Sequence, residues 1–304
     1  MQEGFVSVNS VPTRVVTRGG WIEDGLKGNK ELILFISGNP GLTGYYSIFL
    51  DTIHSNLGIP VWAISHAGHE LPPEEQTLPS LAKNPHFYNM EGQAQHKIAF
   101  MEKYIPSDVK VYLIGHSIGC KMILEVMKNS RIHTQVRKCY LMFPTIERMA
   151  TSPNGKFLTS LILPIVPLIV FLAWVFASLP RTLRRVLINI YFSIHKSTDD
   201  MIDTTVDLVN PTVLRNVFFL AKDEMENVTE LDSDTMTTFR NKLVLYYGAR
   251  DGWTPLDYVK DLKESHPEVK SIICDKNFDH AFVLNMSQAV GDMVSDWVKA
   301  ERQK

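Results

Sequence analysis

The five residues Gly115-His116-Ser117-Ile118-Gly119 fit the pattern G-x-S-x-G. They lie directly after the apolar run Val109 to Ile114 and directly before a stretch with helical spacing. In that setting the serine occupies a sharp strand-to-helix turn, and glycines two residues to either side leave room for a strained backbone and for the neighbouring chain. As a bare pattern the motif arises by accident in on the order of one chain in ten, so its meaning depends on what surrounds it.

The surroundings read as strands alternating with helices. Short, β-branched apolar runs at Leu32 to Ile36, Val61 to Ile64, Val109 to Ile114, Cys139 to Phe143, Leu243 to Tyr247 and Ser271 to Cys274 predict inner strands of a largely parallel sheet. Residues from Phe5 to Val16 predict antiparallel strands that start the sheet. Gln93 to Tyr104, Lys121 to Lys128, Pro255 to Ser265 and Leu284 to Ala300 have helical spacing, and in the last Val290, Met293, Val294 and Trp297 recur every three or four residues. The expected class is α/β, a mostly parallel sheet with helices on both faces.

A serine hydroxyl in such a turn is a poor nucleophile until a histidine takes its proton and a carboxylate orients that imidazole. Both candidates lie downstream. Asp251 follows the strand Leu243 to Tyr247, in Gly248-Ala249-Arg250-Asp251-Gly252. His280 follows the strand at Ser271, in Phe278-Asp279-His280. The order serine, aspartate, histidine is that of the α/β-hydrolase fold. Glu147, just after the strand ending at Phe143, is the alternative acid. Taken singly, Asp251 reads as a turn former and His280 as one of ten histidines; three residue types at three expected loop positions outweigh that reading. Two N–H donors are also required for an oxyanion, one from Ile118 and one from the loop Ser37-Gly38-Asn39-Pro40-Gly41. Pro40 has no N–H, so Asn39 is the candidate there and Gly41 the reserve. No metal or other cofactor is called for, and His66 and His69 read as lining or rimming the cleft.

Composition narrows the class further. The chain has 304 residues, 45% of them hydrophobic, and no Pro/Gly/Ser-rich linker, which fits one large domain with an insertion. A net charge of −2 with no basic stripe argues against nucleic acid. Three cysteines, Cys120, Cys139 and Cys274, in apolar surroundings fit a reducing compartment, and Met1 to Val8 lack the features of a secretory signal. The chemistry is therefore expected on the cytosolic side.

Phe157 to Pro180 is a run of 24 residues without a charge, His, Asn or Gln. Its length suits a membrane crossing of about 20 residues, but a single crossing between Ser117 and His280 would put the two on opposite sides. Breaks at Pro164 and Pro167 instead predict a shallow hairpin in one leaflet, flanked by Lys156 and by Arg181, Arg184 and Arg185 near anionic head groups. Leu161, Pro164, Pro167, Phe171 and Trp174 would meet lipid. A buried cap helix of a soluble enzyme is the competing reading. The expected domain division is a core of 1–144 and 240–304 with a lid of 145–239 carrying the hairpin at 157–180. Within the lid, Asn210 caps a helix reaching about Lys222, and Asp199, Asp200, Asp203, Asp223 and Glu224 read as a solvated acidic face.

The loop Ser37 to Gly41, the elbow Gly115 to Gly119, the Pro-interrupted apolar stretch, the segment Gly248 to Pro255 and Phe278 to His280 together resemble the lipid droplet-associated hydrolase family over essentially the whole chain. The resemblance implies an α/β hydrolase on lipid droplets and the endoplasmic reticulum, with a sterol ester as substrate and Ser117, Asp251 and His280 at the triad positions. Two functional classes are carried forward. One is an esterase acting on a neutral lipid ester at a lipid monolayer or membrane surface. The other is a droplet-surface scaffold with a weak or vestigial site. Protein partners are not legible.

Overall fold

The computed structural model describes residues 1–195 and 201–304. Eight strands form one sheet: β1 (Gln2–Val8), β2 (Val11–Arg18), β3 (Glu31–Ile36), β4 (Val61–Ile64), β5 (Lys110–His116), β6 (Val136–Met142), β7 (Leu243–Tyr247) and β8 (Lys270–Ile273). Their order is β1-β2-β4-β3-β5-β6-β7-β8. The first two pairings are antiparallel, and β4 through β8 run parallel. The expected architecture is thus observed.

Alternation along the strands sends side chains to two cores. On β3, Leu32, Leu34 and Ile36 enter one core, while Ile33 and Phe35 enter the other. The first is covered by α2 (Met90–Tyr104), through Phe100 and Met101, and by α3 (Ile118–Met127), through Met122, Ile123 and Met127. The second is covered by α1 (Ser47–Leu57), through Phe49 and Ile53, and at the chain's end by a helix whose Val290, Val294 and Val298 are fully buried. Strands buried on both faces explain the unbroken apolar runs in the sequence.

A four-residue helix, α4 (Ile132–Gln135), precedes β6. Between β6 and β7 the chain forms α5 (Pro153–Phe157), α6 (Leu163–Ala177), α7 (Arg181–His195), α8 (Ile202–Leu208), α9 (Pro211–Asn227) and α10 (Ser233–Phe239); α11 (Leu256–Ser265) and α12 (Ser287–Arg302) follow β7 and β8. Asn210 caps α9 as expected, its side chain accepting from Thr212 N.

The apolar run does not fold back at its prolines. Pro153–Ala177 is one helix of 25 residues, long and apolar enough by length and composition to cross a membrane. Pro164 lies in the first turn of α6, and a widened π turn at Leu158–Ile162 stands just before it. Pro167 withholds one hydrogen bond, to the Leu163 carbonyl, without ending the helix. The chain reverses later, at Ser178 to Pro180, where Ser178 N bonds Trp174 O and Leu179 N bonds Phe176 O. The second limb is α7.

Only Val170 and Ala173 of α6 are buried, where it packs on α9. Phe157, Leu161, Ile165, Leu168, Leu172 and Val175 form an exposed stripe at helical spacing, with Phe171 and Trp174 beside it and Pro164 and Pro167 also exposed. On α7, Leu183, Val186, Leu187, Ile190 and Ile194 form a second exposed stripe that the sequence reading did not separate out. Arg181 and Arg185 do not stand free toward head groups: Arg181 pairs with Asp203 and Asp207, and Arg185 with Asp203. Asp199 and Asp200 lie outside the described residues.

Candidate active site

Ser117 is the residue between β5 and α3, with φ 52° and ψ −123°. A non-glycine residue there stores about 1–3 kcal/mol of strain, which the packing around it must hold. The packing shows why the motif needs its glycines. A Cβ on Gly119 would come within 2.3 Å of Ile36 O and 2.5 Å of Ser37 O, and one on Gly115 within 2.7 Å of Ile123. The elbow is therefore wedged against the end of β3.

The ends of β5, β7 and β8 bring three sequence candidates into a hydrogen-bonded line. His280 Nε2 is 2.9 Å from Ser117 Oγ, and His280 Nδ1 is 2.7 Å from Asp251 Oδ2. With Asp251 accepting from Nδ1–H, Nε2 is left as the acceptor for the serine hydroxyl. Asp251 is further fixed by Trp253 N at 2.8 Å, Thr254 N at 3.4 Å and the Thr254 hydroxyl at 2.9 Å. Burial works to raise its pKa. The hydrogen bond and charge of His280, with the Trp253 and Thr254 donors, outweigh that and hold the carboxyl below its ordinary value.

Glu147, the alternative acid, does not join this line. It is 2.8 Å from Arg148 and lines a separate groove with that residue and Asp261. Burial raises its carboxyl, with the arginine pulling the other way.

The loop Ser37 to Gly41 packs on the elbow so closely that a Cβ on Gly38 would stand 2.8 Å from Ser117 Cβ. Two of its N–H groups are already engaged. Gly38 N donates to Tyr46 Oη at 3.1 Å, and Gly41 N donates to Gly38 O at 2.7 Å, so the reserve donor Gly41 is already engaged. Pro40 has none. Among the described residues the Asn39 N–H has no partner, and Ile118 N–H belongs to the first turn of α3, where helix donors lack intrahelical acceptors and negative charge is favoured.

His66 and His69 do not line the cleft. Both are fully buried behind the loop, where His69 Nδ1–H donates to Pro40 O at 2.6 Å and the His66 ring fills the space beside Gly41. Burial first, with Lys97 adding to it, keeps His66 neutral well below its ordinary pKa; burial likewise brings His69 down to about 4. Gln93, His96 and Lys97 give α2 a polar inward face beneath them, a placement that only the packing of α2 reveals.

His116 links the two halves of the site. Its Nε2 is 2.9 Å from His280 O and its Nδ1 is 2.7 Å from Tyr46 Oη, the same hydroxyl that accepts Gly38 N–H. Burial, then the neighbouring His280, pushes it down to about 3, so it stays neutral. A cavity of about 500 Å³ opens above Ser117 and His280. Leu158 and Phe192 wall it at the apolar helices, and Trp253 lines it; Met122, Phe278 and Phe282 belong to the cores.

Glu224 also reaches this cavity. Far from forming a solvated face, it is 4% exposed and accepts from Asn39 Nδ2 at 3.0 Å. Its neighbour Asp223 accepts from Met90 N at the start of α2. The missed signal was the stripe Val213, Val217, Leu220, Glu224, which keeps helical spacing along the buried face of α9. Among the described residues no group of three or more His, Cys, Asp or Glu could hold a metal ion.

The parallel sheet, the strand–serine–helix elbow and the loops at the strand ends define an α/β-hydrolase fold. The crystal structure of a haloalkane dehalogenase from Bradyrhizobium elkani shares it, with a TM-score of 0.66 at 11% identity over 99% of each chain. The family model described as lipid-droplet associated hydrolase matches residues 29–283. The lipid droplet-associated hydrolase of Drosophila melanogaster is 43% identical over the full length of both chains, and that of Gallus gallus 34% identical over 100% of this chain and 97% of its own. The chain belongs to the lipid droplet-associated hydrolase family.

Proposed function

We propose that the protein is a serine ester hydrolase that takes a neutral lipid ester from a droplet surface. The observation carrying this reading is the line Ser117–His280–Asp251 beneath an apolar cavity walled by Leu158 and Phe192, at the base of two helices with exposed apolar stripes.

Ser117 Oγ attacks the ester carbonyl carbon as its proton passes to His280 Nε2, and the carbonyl oxygen becomes an oxyanion received by Ile118 N–H and Asn39 N–H. Collapse expels the alcohol, which takes the proton from His280 and leaves an acyl group on Ser117. Water, deprotonated by His280, then hydrolyses the acyl-enzyme; fatty acid leaves and Ser117 regains its proton. Asp251 keeps the imidazole in the required tautomer and stabilises its protonated form. The finer assignments are a sterol ester as substrate, residence on droplets and endoplasmic reticulum with the core facing the cytosol, and a lid at 145–239 over a core of 1–144 and 240–304. Docking of α6 and α7 would let an apolar ester enter without crossing water.

The exposed stripes equally favour a second reading, a droplet-surface scaffold. A fluorophosphonate probe separates the two: on droplets the wild type labels at Ser117 and Ser117→Ala does not. Equal labelling of both would remove the main support for the enzyme.

A further inference from the structure

The Asn39 side chain is clamped to α9: its Nδ2 donates to Val217 O at 3.1 Å and to Glu224 Oε1 at 3.0 Å. The residue whose main-chain N–H faces the developing oxyanion is thus held by a buried carboxyl that itself lines the cavity. We propose that Glu224 is a positioning residue that works as an uncharged carboxylic acid, fixing Asn39 while keeping negative charge away from the oxyanion. The inference rests on the reading of Ser117 as nucleophile and of Asn39 N–H as oxyanion donor.

Three observations support the uncharged form. The lining of the cavity, among the described residues, holds no lysine or arginine that could balance a carboxylate. The titratable groups around Glu224 do not supply a fixed positive charge either: Asp223 adjoins it on α9, Tyr45 and Tyr46 follow the Asn39 loop, His116 stays neutral, and His280 is engaged with Asp251. Finally, burial, opposed only by the Asn39 hydrogen bond, raises the carboxyl to about 8. An ionised Glu224 would sit on the same side of the cavity as the oxyanion, where low dielectric strengthens repulsion between like charges.

The direction with pH follows. Below about 8 the acid is protonated and the site is competent; as pH rises through that value the proton is lost and the oxyanion meets a second negative charge. The experiment measures the rate of fluorophosphonate labelling at Ser117 on phospholipid-coated droplets between pH 6 and 9.5. In that reaction Ser117 Oγ bonds to phosphorus, fluoride leaves, His280 takes the proton and the phosphonyl oxygen occupies the oxyanion position. Wild type is expected to label fastest near neutral pH and to fall roughly tenfold between about pH 7 and pH 9 as Glu224 ionises. Glu224→Gln, which cannot ionise, is expected to lose that fall and to lower the plateau less than Glu224→Leu does.

A wild-type profile level to pH 9.5, or a Glu224→Gln profile falling with the wild-type midpoint, overturns the proposal. Absence of Ser117-dependent labelling at every pH instead overturns the hydrolase reading beneath it. Should Glu224→Gln fail to fold, infrared difference spectra of wild type decide: the carbonyl stretch of a protonated buried carboxyl must be present at pH 7 and vanish at the alkaline end, and its absence at pH 7 overturns the proposal.

Discussion

The exposed face of α6 gives a quantitative test of how the protein meets lipid. Leu168, Phe171 and Trp174 are 55, 56 and 58% exposed. Full burial of a side chain of this size is worth about 1.5–3 kcal/mol, so the half still in water gains roughly 1 kcal/mol each on entering an acyl layer. Replacing all three by serine therefore removes about 3 kcal/mol, or roughly a hundredfold in partition at about 1.4 kcal/mol per decade. The assay is flotation with triolein droplets coated in phosphatidylcholine, read as bound over free protein. Because nearly half of each side chain is covered within the fold, the thermal midpoint of the triple variant in detergent should fall only modestly beside the hundredfold loss of partition. Unchanged partition together with a large fall in thermal midpoint would show that α6 is a packed cap helix, and the docking argument would collapse.

Three further outcomes follow. Asp251→Asn should lower turnover by about a thousandfold or more, because Nδ1–H of His280 loses its carboxylate, while Glu147→Gln should leave turnover near wild type; the reverse pattern in ester hydrolysis rates would move the acid to Glu147. The depressed carboxyl of Asp251 stabilises the fold at pH values above its unfolded value and that contribution disappears as pH falls through its folded value, so acid titration of stability should be shallower in Asp251→Asn than in wild type. Gly119→Ala should cost about 3 kcal/mol or more in denaturant unfolding, since its Cβ would meet the Ile36 and Ser37 carbonyls, which are backbone and cannot swing aside.

Legibility in the sequence followed local chemistry. The elbow, Asp251 and His280 could be read because each occupies the loop after a β-branched strand, and strand ends determine which loops share a rim. Asn39 could be reached by elimination, since proline removes one donor from a five-residue loop. Glu224 was hidden because acidic neighbours drew attention to composition, whereas its place on the face of Val217 and Leu220 marked it as buried. His66 and His69 needed tertiary information: only the fold shows α2 passing beneath them with Lys97 and His96. In α6 every position is apolar, so periodicity carried no information about which face is outward. The prolines then predicted a reversal that a π turn and a first-turn position made unnecessary. The stripe on α7 was periodic in the sequence and was overlooked beside its arginines.

The central claim is that Ser117 cleaves a lipid ester at a surface. Fatty acid released from an emulsified neutral lipid ester, measured for wild type and Ser117→Ala at equal droplet-bound protein, tests it most directly. Wild type should release fatty acid and the variant should lose at least about a thousandfold, since the remaining oxyanion and binding groups cannot replace the nucleophile. Equal release by the two proteins would contradict it.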